Sequence, residues 1–353
     1  MTNAPWYLYL GFLGFVVAVL LLDLRLFHSK EREPRLRESA TWVAIWVALA
    51  VGFGVALLAW KGGRAAGEFF AGYLVEYSLS VDNMFVFVVI FSYFRVPKTY
   101  QHQVLFYGIL GAIVSRGIFI AAGAALINQF HWVVYVFGAL LLFTAVRLAR
   151  GVGEVHPENN PVLRLAERFF PATRRYHGQR LFTMENGRRV MTPLFITLLI
   201  VETTDILFAV DSIPAIFGIT RDPFIVLTSN VFAVLGLRAL YFLLAGSMDR
   251  FHLLKYGLSA ILGFVGVKML LPLLHEVGLP GDFEIPIWVS LAVIVGVLAL
   301  TVALSLVLSP RGGVAPPEPA APEGAGEAIE PADVAVPEPP PASAGGRRTE
   351  DRR

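Results

Sequence analysis

The sequence predicts an all-α, polytopic membrane protein of about nine transmembrane helices, and three observations carry that prediction. Hydrophobic residues make up 56% of the chain and charged residues only 16%, against about 25% charged in an ordinary soluble domain. Apolar runs long enough to cross a bilayer as a helix, about 20 residues each, recur from end to end. Lys and Arg collect in alternate connections between those runs, as the topology of an inserted chain requires. The basic balance, net +2, therefore points to membrane topology and lipid rather than to nucleic acid. Cysteine is absent, which excludes disulfides, thiolate metal sites and Cys nucleophiles together.

Taken in order, the spans are 6–27, 41–60, 68–93, 104–127, 131–150, 192–218, 224–246, 254–275 and 284–309. No basic residue precedes the first run, and Asp23 and Arg25 follow it without a small-residue cleavage site. It reads as a membrane helix and not as a cleaved signal peptide. The division that results is 1–67 (two N-terminal spans and a basic loop), 68–150 (three spans), 151–191 (an Arg-rich loop), 192–275 (three spans), 276–309 (the last span) and 310–353. Loop 28–40 holds Lys30, Arg32, Arg35 and Arg37, and loop 94–103 holds Arg95 and Lys98. Loop 151–191 holds Arg164, Arg168, Arg174, Arg175, Arg180, Arg188 and Arg189. All three fall on one side, so the N-terminus is expected outside and the C-terminus inside. In loop 151–191 the stretch 161–170 suits a short amphipathic helix at the inner surface. Its arginines suit anionic lipid first and a docked cytoplasmic partner second. Residues 310–353, rich in Pro, Ala, Gly and Glu, read as a disordered cytoplasmic tail.

Self-similarity organises the interior. Glu76-Tyr-Ser-Leu-Ser-Val-Asp82-Asn83 is echoed by Asp205-Ile-Leu-Phe-Ala-Val-Asp211-Ser212, an acid six residues before an Asp and a small polar residue after it. One span later Arg116 matches Arg238, each a lone Arg in mid-run. Gly138 to Arg147 then matches Ser259 to Lys268. Residues 68–150 and 192–275 thus read as two three-helix repeats. Three is odd and the linking loop begins and ends on one side, so the second repeat should lie upside down relative to the first, a common transporter architecture.

The acids are the candidate site. An isolated Asp in mid-bilayer costs about 2.5–3.5 kcal/mol on insertion scales, and such groups are functional by default. On a continuous helix Glu76 shares a face with Asn83, and Asp205 with Ser212, while Asp82 and Asp211 sit about 120° away. A break after Asp211, where Pro214 and Gly218 stand, would let both acids of that motif converge. Glu202 adds an acid one turn before Asp205. The candidate metal ligands are Glu76, Asp82, Asn83, Glu202, Asp205 and Asp211, with Ser212 in support. These are hard oxygen donors, suited to Mn²⁺, Mg²⁺ or Ca²⁺ and not to copper or zinc. Arg116, Arg238 and Lys268 read first as counter-charges that fix helix packing, and second as gating groups. Arg147 and Lys268, near span ends, could also snorkel.

These motifs, with Phe85, Glu202-Thr-Thr-Asp205, Ile213-Pro214-Ala-Ile, Thr228-Ser-Asn230 through Arg238 to Phe242, and Gly266-Val-Lys268, resemble the TerC/Alx family of integral membrane proteins over about residues 6–309. The resemblance implies a multi-pass protein of the lysine-exporter-like superfamily, in a bacterial inner-membrane setting. It also implies a link to tellurium-ion resistance and, for the Alx type, to manganese export and an alkaline-pH response. It assigns the acidic role to Glu76, Asp82, Asp205 and Asp211, with Asn83 and Glu202 beside them.

The expectation is a non-enzymatic exporter of a divalent cation, Mn²⁺ before others, working by alternating access and compatible with proton coupling. No permanent cofactor is expected, and a homo-oligomer is compatible with the three spans outside the repeat. The rival reading is a non-transporting scaffold that recruits resistance or stress partners through loop 151–191. An intramembrane aspartyl protease is disfavoured, because Gly-x-Gly-Asp is absent from both acidic spans.

Overall fold

The computed structural model describes residues 5–27, 36–151, 171–245 apart from Arg174 and Asn186, 253–276 and 285–308, together with Val162 and Leu165. Ten helices and one hairpin make up these residues. They are α1 (Trp6–Phe27), α2 (Leu36–Lys61), α3 (Gly63–Tyr93), α4 (Lys98–Gln129), α5 (Val133–Ala149), β1 (Phe182–Glu185), β2 (Arg188–Met191), α6 (Pro193–Phe217), α7 (Pro223–Leu235), α8 (Leu237–Leu244), α9 (Leu254–Glu276) and α10 (Ile287–Val307). Six of them, α2, α3, α4, α6, α9 and α10, are long and apolar enough to cross a membrane. The α7–α8 pair makes a seventh if its two halves form one span, and α1 and α5 are shorter apolar helices. The amphipathic helix expected over 161–170 and the tail 310–353 lie outside the described residues, the former apart from Val162 and Leu165.

Local chemistry sets the helix ends. Thr192 caps α6 by accepting from the Phe195 amide, and Asp222 caps α7 by accepting from the Phe224 amide at 2.9 Å. Each cap is followed by proline, whose missing N–H costs nothing at a first helical position. Gly62 turns α2 into α3 at φ +85°, a conformation that L side chains resist. Helix α10 carries its small polar residues inward, with Ser290, Thr301 and Ser305 buried beside Ile294, while Leu300, Leu304 and Val307 are exposed. That reversal of the usual soluble pattern suits a helix with lipid outside and a helix interface inside.

The predicted break does not fall where expected. Helix α6 runs unbroken through Asp211 and Pro214 to Phe217. The proline gives up its own backbone bond without ending the helix, which stops three residues later. The break comes instead in the seventh span, at Gly236, where α7 and α8 meet at 41°.

Packing is reciprocal. Helix α3 lies mainly against α7, and α4 against α6, while α3 also meets α6 and α4 meets α7. The most extensive pairing is α5 with α9. They run antiparallel: Gly138 stands at the Gly266 carbonyl, and the Ser259 hydroxyl donates to the Ala145 carbonyl at 2.7 Å. Helices α3 and α6 are antiparallel as well. Ala71 and Val75 share one apolar cluster with Ala209, Ile213 and Ile216, and Met84, Phe87 and Ile90 share another with Leu194, Ile200 and Val201. A third cluster, rich in Phe, ties α1 and α2 to α3 and α7.

Candidate functional site

Between the first two apolar clusters lie three charged side chains: Glu76 (0% exposed) on α3, Arg116 (1%) on α4 and Asp205 (4%) on α6. The Arg116 guanidinium forks onto Asp205, Nη2 donating to Oδ1 at 3.0 Å and Nε to Oδ2 at 3.3 Å. Its Nη1 donates to Glu76 Oε1 and, at 3.4 Å, to Asn230 Oδ1 on α7. Ser80, one turn on from Glu76, donates to the same Glu76 oxygen at 3.4 Å. Four helices therefore meet at a single guanidinium. Two carboxylates and one guanidinium leave one formal negative charge, and Glu76 Oε2 has no protein donor. The Asn230 amide nitrogen and the Thr204 and Ser212 hydroxyls are also buried without a partner. A low-polarity interior makes such groups expensive to leave unmatched; of them Glu76 Oε2, an acceptor beside a net negative charge, is the one that suits a cation, whereas the Asn230 amide nitrogen is a donor.

The other candidates are dispersed. Antiparallel α3 and α6 carry Asp82 and Asp211 about 9 Å beyond the triad in opposite directions, from a rise of 1.5 Å per residue. Asp82 is partly buried, with Lys255 as an opposing charge. Asp211 accepts from the Thr144 hydroxyl on α5 at 3.0 Å and lies within electrostatic reach of Arg147. Asn83 and Arg238 are buried. Glu202 is partly buried, its carboxylate set over Gly111 of α4, where a Cβ would collide with it. Lys268 donates to Ser290 of α10 at 3.0 Å. Among the described residues no three or more His, Asp and Glu side chains converge as a group that could hold a metal ion. The six expected ligands are thus not one shell: Glu76 and Asp205 share the Arg116 guanidinium, and the rest stand along the helices around them.

Two features escaped the sequence reading. Asn230 completes the central cluster, and the Thr228-Ser229-Asn230 triplet in an apolar run was its signal. The other is a cavity of about 1090 Å³ at the end of the bundle holding the α2–α3 and α6–α7 turns, lined by Lys61, Glu68, Thr220, Asp222, Lys268 and Trp288 among others. Lys61 pairs with Asp222 at 2.8 Å, and Thr220 donates to Glu68 at 2.6 Å. These contacts clasp the start of α3 to the α6–α7 turn.

Opposite, at the other end of the bundle, the β1–β2 hairpin packs on the helices. The Tyr176 hydroxyl donates to the Phe94 carbonyl at 2.8 Å, and Gln103 donates to the Gln179 carbonyl at 3.0 Å. Burial there pushes the Tyr176 hydroxyl up to about 12.

Comparison with known proteins places these features in context. The integral membrane protein TerC family matches residues 61–312. An uncharacterised membrane protein of Myxococcus xanthus is 50% identical over 304 residues, covering 86% of this chain and 92% of its own. Proteins bearing the provisional name membrane-bound redox modulator Alx are also similar. The one from Photorhabdus laumondii is 44% identical over 308 residues (84% of this chain, 93% of its own), and the one from Escherichia coli K12 is 45% identical over 307 residues (82% and 91%). No solved structure matches the chain.

Proposed function

The chain belongs to the TerC family of integral membrane proteins, and from that premise we propose that it exports a divalent cation, Mn²⁺ first, by alternating access. The observation that carries the reading is the joint pairing of Glu76 and Asp205 to one guanidinium, Arg116. They are equivalent positions of the two sequence repeats, buried together between two apolar layers that would act as gates. Oxygen donors of this kind favour a hard cation.

In this reading the two repeats lie inverted in a nine-span bundle, with the N-terminus outside and the C-terminus inside. Antiparallel packing of α5 on α9 supports the inversion. Its contacts pair Gly138 with Gly266 and Ala145 with Ser259, and the sequence match of 138 to 259 and 145 to 266 exchanges one contact for the other. The α3–α7 and α4–α6 pairings exchange in the same way. Asp82, Glu202 and Asp211 then serve as stations on either side of the central pair. The clasp at Lys61–Asp222 closes the outer end.

A thiol-based redox role has no group to act through in this sequence, so an effect on redox state would follow from metal handling. The described part of loop 151–191 is anchored to the chain's own helices at Tyr176–Phe94 and Gln103–Gln179 while Arg175, Arg180, Arg188 and Arg189 stay exposed, so the scaffold alternative is decided by experiment. Deleting residues 161–170, which carry Arg164 and Arg168, should leave transport largely intact under the exporter reading and abolish function under the scaffold reading. The direct test is flux of Mn²⁺, Mg²⁺, Ca²⁺ and Zn²⁺ through purified protein in vesicles. Saturable Mn²⁺ movement, lost on Asp205→Asn, is expected; no movement of any of the four ions would overturn the proposal.

A further inference from the structure

We propose that Arg116 is a built-in counter-cation, which occupies the place of the transported ion while the carrier is empty and withdraws when the ion arrives; this rests on the transport reading above. The geometry is that of a surrogate. One guanidinium bridges the two acids by using both Asp205 oxygens and Glu76 Oε1. The bridged acids come from different repeats, and the bridge lies where a shared ion would lie. The only carboxylate oxygen of the pair left without a donor is Glu76 Oε2. An ion shared by both acids must therefore displace at least part of the guanidinium.

The surrogate solves a physical problem. A transporter that releases its cation outside must return empty through the low-dielectric interior. Two bare carboxylates facing each other there would repel and be strongly desolvated. Arg116 removes one of the two charges for the return and supplies the hydrogen bonds the acids would lose with the ion. Because it is tethered to α4 it cannot leave with the substrate.

The displaced guanidinium has a destination. Glu202 lies one turn before Asp205 on α6, with its carboxylate against Gly111 of Arg116's own helix. It has no hydrogen bond or ion pair among the described residues. In the loaded state the ion would neutralise Glu76 and Asp205 while Arg116 neutralises Glu202.

The test separates two modes of movement in vesicles of purified protein. Net Mn²⁺ efflux into metal-free buffer requires the empty carrier to return; Mn²⁺–Mn²⁺ exchange does not. For Arg116→Met, net efflux should fall about a hundredfold, the scale set by leaving a buried acid without its partner, while exchange persists. Parallel loss of both modes in a variant that elutes and melts like the parent, or retention of both, would overturn the proposal.

Should Arg116→Met fail to fold, Arg116→Lys decides. It keeps the charge and gives up the fork, so net efflux should survive if the charge is what matters. It should fail together with exchange if the forked bridge is merely structural. Absence of both modes in the unmodified protein would instead defeat the transport reading itself.

Discussion

Neutralising either acid of the central triad removes the same formal charge, yet the two changes should differ sharply in stability. Asp205→Asn and Glu76→Gln each leave one carboxylate facing Arg116, so the net charge of the cluster falls to zero in both. The hydrogen bonds are not equivalent. Asp205 receives two from Arg116, at 3.0 and 3.3 Å, and an asparagine there keeps one acceptor. Its new amide N–H would point at a guanidinium N–H, donor against donor. Losing one bond to a charged group costs about 1.5–3 kcal/mol, and the unmatched buried donor adds about 1–3 kcal/mol.

Glu76 presents one oxygen to Arg116 and Ser80 and holds the other, Oε2, without a donor. Glutamine keeps the accepting oxygen and replaces the unmatched one with an N–H, so its cost should stay within about 1 kcal/mol. The assay is unfolding of both purified variants in mild detergent, by titration with a denaturing detergent and by thermal midpoint. Asp205→Asn should be clearly less stable than the parent, and Glu76→Gln close to it, although both should lose transport. A Glu76→Gln protein destabilised as much as Asp205→Asn would refute the account of how Arg116 divides its bonds.

Other outcomes follow from the same geometry. Asp82→Asn and Asp211→Asn should each raise cellular manganese relative to the parent protein in a strain lacking its own exporter, and parent-like manganese levels would remove those residues from the path. Gly111→Leu should displace the Glu202 carboxylate and lower Mn²⁺ flux at least as much as Glu202→Gln does, measured in vesicles. Gly266→Leu should strain the α5–α9 contact, where even a Cβ would stand 2.9 Å from the Gly138 carbonyl oxygen; overpacking of this kind costs about 1–3 kcal/mol and is read as a lower thermal midpoint. The Thr173 hydroxyl first, then His177, holds the Glu185 carboxyl below its usual range. Its contribution to the hairpin is therefore present above the ordinary carboxylate pKa and lost as pH falls through the depressed value, so proteolysis near Arg188 should increase only in acid.

Much of the fold was legible because it rests on local rules. Runs of apolar residues gave the helices within a few residues, and the Thr192-Pro193 and Asp222-Pro223 pairs sit where caps and first turns require them. Glu76 and Asp205, which recur at matching places in the sequence, share one guanidinium. Their partner was not decidable from spacing, since Arg116 lies on a third helix and only tertiary packing selects it over Arg238 or Lys268. Pro214 reads as a break because proline usually makes one, yet α6 continues through it to Phe217, whereas Gly236 gives no equally strong signal. The hairpin was overlooked behind its arginines, although Asn186-Gly187 is the turn dipeptide that a two-residue connection prefers, and Gly187 takes φ +75°. Asp82 and Asp211 hold matching places in the repeat, and the antiparallel course of α3 and α6 sends them apart.

The account stands or falls on whether a divalent ion is held between Glu76 and Asp205. Electron paramagnetic resonance of Mn²⁺ titrated into the purified protein reads this directly, because bound ion loses the sharp signal of the free aqueous ion. The unmodified protein should remove that signal saturably, and the Glu76→Gln, Asp205→Asn double variant should leave it as it is in buffer alone. Equal uptake by the double variant would contradict the claim.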